Sequence, residues 1–150
     1  MTRIIPILRT LLGLVFVTFA LNYFFPFLPA QDPPPADAMP FIIGFVGAGY
    51  MTLIKVIELT AGLLLLSNRF VPLALALLAP IIVGITAFHV LLVPAGIGLA
   101  IGIVVLEIAV AWGYRAAFAP MLRAKVTPAV PSTPALGRMR SLERDGSRIG

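Results

Sequence analysis

Cysteine is absent from this 150-residue sequence, which excludes disulfides, thiolate metal sites and a dithiol relay within the chain. Histidine occurs once. A lone imidazole without thiolates is a poor ligand set for zinc or haem, so no metal centre is expected. Charge is scarce: 11% of residues are Asp, Glu, Lys or Arg, against about 25% in a typical soluble domain. No Gly-rich phosphate loop, nucleophile elbow, zinc-binding HExxH or dinucleotide fingerprint is present. A self-contained catalytic site of the soluble type is therefore not expected. Strict alternation of polar and apolar residues is also missing, which argues against a β-barrel.

What the chain does have is apolar length. Hydrophobic residues make up 60% of it and the mean hydropathy is +1.06. Four apolar stretches stand out, about 10–27, 41–66, 71–93 and 96–118. At about 20 residues per crossing each is long enough for a hydrocarbon core about 30 Å thick. The expected fold is an all-α membrane protein, a four-transmembrane-helix bundle occupying residues 1–122. The remainder, 123–150, is rich in Pro, Ser and Arg and shows no apolar face, which predicts a disordered tail.

The basic residues orient the bundle. Seven of the eleven lie from Arg115 onward, Arg3 and Arg9 precede the first stretch, and Arg69 separates the second and third. The first loop, "LPAQDPPPADAMP", carries Asp32 and Asp37 and no Lys or Arg, and its five prolines favour a stiff extended connector. The positive-inside rule then places both termini in the cytoplasm. The net charge of +5 is read as topology, with no nucleic-acid partner expected. A cleaved signal peptide over residues 1–30 is the weaker alternative, because the apolar run is long and lacks small residues near its end.

Within these spans a few residues break the apolar pattern. Lys55 and Glu58 sit inside "MTLIKVIELTAGLLLLSNRF", and Glu107 sits inside the fourth stretch. Three positions apart on a helix, Lys55 and Glu58 lie within reach of each other. For a straight span over 41–66, Lys55 lies about 2 Å and Glu58 about 7 Å to the cytoplasmic side of the midpoint, and Glu107 lies within about 3 Å of its own. All three are thus expected in one layer. They are candidates for a buried ligand or proton site, with a satisfied structural pair as the rival reading. Asn22, Tyr50 and His89 form a second candidate cluster in the outer half, where His89 would meet a proton or a carbonyl. Gly44, Gly47, Gly98 and Gly102 are expected to let helices pack closely within the chain, the alternative being a face for a second copy.

The stretch "KVIELTAGLLLLSNRFVPLALALLAPIIVGITAFHVLLVPAG", with "LNYFFPFLP" before it and "WGYRAAFAPML" after it, resembles the DoxX-like family of bacterial integral membrane proteins. The likeness runs from about Leu11 to Leu122 and rests on Glu58, Gly62, the "NRF" turn at Asn68 to Phe70, Pro72, Pro80, Phe88 and His89. Gly84 stands where similar sequences often carry Asn. The resemblance implies a four-helix bundle in the bacterial cytoplasmic (inner) membrane. It further implies an accessory subunit of a membrane oxidoreductase or quinone-linked complex, with a bound quinone as the implied cofactor and a redox enzyme as partner. Two alternatives stand beside it: a small homo-oligomeric, proton-coupled transporter, and a structural membrane protein without activity of its own.

Overall fold

The computed structural model describes residues 4–29 and 32–125. Most of the basic tail therefore lies outside the described residues. Six α-helices follow one another: α1 (Ile4–Phe24), α2 (Met39–Gly47), α3 (Tyr50–Leu66), α4 (Val71–Leu91), α5 (Ile97–Gly113) and the single turn α6 (Arg115–Phe118). Short 3-10 turns at Pro94–Gly96 and Ala119–Leu122 flank the last two, and no strand occurs among the described residues.

Four of these helices pack into a closed ring in which α1 touches α3 and α5, while α4 touches α3 and α5. The connections explain the order. Leu66 ends α3, and a tight turn follows in which Asn68 and Phe70 take left-handed backbone (φ 57° and 52°). Pro72 then opens α4, where its fixed φ suits the first turn and its missing N–H is not needed. Such a short link makes α3 and α4 antiparallel neighbours. Two contacts set the direction of α1 against α3: the Gly13 and Gly62 backbones meet, and Tyr23 Oη lies 2.9 Å from Thr52 Oγ1 nearer the opposite end.

The inner faces supply an apolar core that includes Leu12, Phe16, Leu65, Leu75, Leu78 and Val110. The outer faces are apolar as well, with Leu73, Val83, Ile101, Val105, Ile108 and Trp112 all more than half exposed. A chain apolar on both faces cannot satisfy water at its surface and belongs in a lipid bilayer. Three helical segments, α1, α4 and Pro94–Gly113, are long and apolar enough to cross a membrane, and α2 with α3 makes a fourth if the bent pair counts as one span.

That bend departs from the continuous second span expected over 41–66. α2 and α3 meet at 75°, because Gly49 adopts φ 72°, a conformation that ends helical progress and suits a residue without a Cβ. The helix end at the bend is capped by Ala48 N–H donating to Gly44 O (3.1 Å) and Gly49 N–H donating to Val46 O (3.0 Å). Two further boundaries move. The first helix begins at Ile4, not Thr10, since Pro6 is tolerated in a first turn and Thr10 Oγ donates to Pro6 O at 2.9 Å. The last span ends at Gly113 in place of 118, where Tyr114 leaves helical geometry (φ −102°, ψ 15°).

Candidate functional site

Each helix of the ring turns one stripe inward, and each ionisable group of interest sits on such a stripe. On α3 the buried residues are Glu58, Ala61, Gly62 and Leu65, the i, i+3, i+4, i+7 pattern of a single helical face. Lys55 lies one turn before Glu58 on that face. Its Nζ donates to Glu58 Oε2 at 2.7 Å, with side-chain exposures of 17% for Lys55 and 2% for Glu58. This is a short, charge-assisted hydrogen bond inside an apolar bundle. The structure brings together the two residues whose spacing predicted a pair.

Glu107 occupies the corresponding stripe of α5, with Ala100, Ile103 and Val110. It is not in the same layer as Lys55 and Glu58. Along α1, Gly62 is level with the stretch between Gly13 and Val17, and Gly113 is level with Ile5. Counting back along the antiparallel helices sets Glu58 beside Phe19 and Glu107 beside Leu11, about 12 Å apart at 1.5 Å per residue. The expected common layer rested on a straight second span. With α2 folded away at 75°, α3 is staggered against α5.

A buried charge that the sequence reading placed outside the membrane completes the set. Arg9 lies on the inner stripe of α1 with Leu12, Gly13, Phe16 and Ala20, and is 8% exposed. Starting the first span at Thr10 made Arg9 a flanking residue. The 9, 12, 13, 16, 20 spacing was the signal that could have found it. The interior thus holds two cations and two acids among the described residues, and their formal charges cancel.

The outer trio does not assemble. Asn22 Oδ1 accepts from Phe27 N–H (3.0 Å) and Leu28 N–H (2.8 Å), so it closes the turn after α1. His89 Nδ1 lies 3.0 Å from Val93 O and secures the end of α4. Tyr50 is 53% exposed and packs edge-on to Phe45. Each finds a local partner, which satisfies it without the others. Tyr50 and His89 are instead the ends of a run of rings, Tyr50, Phe45, Phe41, Phe88 and His89, with neighbouring centroids 4.8–5.8 Å apart.

The four glycines expected at helix contacts are not there either. A Cβ added at Gly44, Gly47, Gly98 or Gly102 would meet nothing within 4 Å. The close approaches are made by Gly13 and Gly62 between α1 and α3, and by Gly113 against Ile5. A small residue every fourth position marks a flat strip but does not say which helix, if any, lies on it.

No group of three metal-binding side chains is found among the described residues. Concavities follow the outside of the bundle: one runs along α1 past Ile7, Thr10 and Leu14, and another lies in the α2–α3 elbow between Phe41, Phe45 and Tyr50. Comparison with protein-family models, curated proteins and solved structures finds no match. What the site can do is therefore argued from its own chemistry. It places charge inside an apolar bundle, with an ammonium held by a carboxylate on a lysine side chain that is 17% exposed.

Proposed function

We propose that this chain is a DoxX-like, multi-pass accessory subunit of the bacterial cytoplasmic membrane, with both termini cytoplasmic, that supports a membrane oxidoreductase and binds a quinone. The observation that carries this reading is the Lys55–Glu58 pair. An ionisable group within a membrane span is costly to insert, and membrane helices retain such groups where a ligand, ion or proton is handled. Glu58 holds the Lys55 ammonium in place from one side. The Lys55 side chain stays 17% exposed, and an ammonium that spends one N–H on Glu58 has two more to offer a ligand carbonyl. The aromatic rings of the elbow offer flat apolar surface for a planar headgroup. Orientation is supported by Arg69 and Arg115, which share one end of the bundle because Tyr114 Oη reaches Asn68 Oδ1 at 3.4 Å.

Purification of the intact chain in mild detergent, followed by mass spectrometry of proteins and lipids, tests the reading. The expected result is a copurifying redox enzyme or isoprenoid quinone, with quinone retention lost in the charge-free Lys55→Met, Glu58→Leu double variant while the protein remains folded. A folded preparation carrying neither overturns it. The closed geometry of the pair favours one second reading, a structural membrane protein whose charges serve only each other. In that case the Lys55→Met, Glu58→Leu double variant keeps every measurable property except stability.

A further inference from the structure

The interior contains one matched pair, Lys55 with Glu58, and two charges without a partner. Arg9 Nε and Glu107 Oε2 are both buried and make no hydrogen bond. Each side chain belongs to a residue only 8% exposed. Leaving a buried charged donor or acceptor unsatisfied costs more than leaving a neutral one so. Two such losses in one small bundle call for a common explanation.

Geometry gives one. α1 and α5 pack against each other and run antiparallel, with Ile5 level with Gly113. Arg9 is then level with Ala109, two residues from Glu107, an axial offset of about 3 Å. Both lie on inward stripes. No other acid competes for Arg9 among the described residues: Asp32 and Asp37 lie in the loop at the far end, and Glu58 is held by Lys55. The sole ion pair within 4.0 Å among the described residues is Lys55–Glu58, so Arg9 and Glu107 stand farther apart than direct contact. Two groups joined through one water are separated by about 5–6 Å, twice an ordinary hydrogen-bond length. The residues around them are apolar, and the outer grooves include neither side chain.

We propose that Arg9 and Glu107 form a second intramembrane charge pair, built as a water-binding site: Arg9 Nε–H donates to the bound water, and the water donates to Glu107 Oε2. A buried water needs two to four polar partners, and these two groups supply two. The two charge pairs then differ in kind, one in direct contact and one hydrated, at separate depths of the same bundle. This inference is independent of any redox partner.

Two measurements on the intact chain in lipid nanodiscs test it. In a double-mutant cycle, Arg9→Gln and Glu107→Gln each lower the folding equilibrium constant, and the double variant falls short of the product of the two by about tenfold, the coupling of neighbouring groups in one network. Independent, multiplicative effects overturn the pairing. In radiolytic hydroxyl-radical labelling, an internal water oxidises the side chains beside it. Leu12 and Val110, both 0% exposed and about one turn from Arg9 and Glu107, are expected to be labelled in the unaltered chain. Coupling without this labelling means the side chains meet directly, and the water site fails. The labelling uses no variant, so it decides the point even where a substitution prevents folding.

Discussion

The α1–α3 seam and the outer face of α5 both contain glycines, and they use them in opposite ways. At the seam, a Cβ on Gly62 would stand 2.8 Å from Val17 Cγ2 and 3.1 Å from Gly13 O, so the two backbones touch. On α5, Gly98 and Gly102 face outward and an added Cβ meets open space. The spacing on α5, four residues apart, is the better match to a helix-packing motif. The seam is built from single glycines on two different helices. What makes a glycine structural is the backbone opposite it, which the local pattern does not contain.

The seam also carries the direct ion pair, which gives the largest expected effect. Lys55→Met leaves Glu58 buried without its partner and is expected to cost about 3–5 kcal/mol, read as a loss of folded protein in a thermal or denaturant melt in detergent. Lys55→Met with Glu58→Leu removes both charges and is expected to recover most of that loss. A double variant as unstable as the single one would show that the carboxylate has a further partner.

Next in size is Gly62→Ala. Overpacking against the α1 backbone is expected to cost about 1–3 kcal/mol, and Gly62→Val more, because a branched side chain cannot turn away from Val17. The smallest effect has the opposite sign. Gly98→Ala and Gly102→Ala are expected to leave stability unchanged or raise it by about 0.5–1 kcal/mol each, since alanine loses less conformational freedom in a helix. Equal destabilisation at Gly62 and Gly102 would erase the contrast, and would mean that a neighbouring molecule covers the outer face of α5.

Much of the fold was legible in the residues. Four apolar runs gave the helical membrane class, and the three-residue spacing of Lys55 and Glu58 gave the contact between them. Errors came where a backbone detail outweighed an apolar run. One glycine in left-handed geometry turned a single 26-residue stretch, 41–66, into two helices at 75°. Arg9 was misplaced because an arginine before an apolar run reads as an interfacial anchor, and only its position on the inner stripe of α1 shows otherwise. Asn22, Tyr50 and His89 were expected at one depth but form no common site, because each has a closer local partner.

The sequence by itself determined the solvent of this protein and its secondary structure, since both follow from composition and from the length of apolar runs, quantities that add up along the chain. It determined the Lys55–Glu58 pair for the same reason, because both ends lie within one helical turn. Tertiary structure alone decided the stagger of α3 against α5, the burial of Arg9 and the choice of Gly13 and Gly62 over Gly98 and Gly102. Each of these depends on which face of one helix meets which level of another. Helical periodicity fixes a face but carries no information about the height of its neighbour.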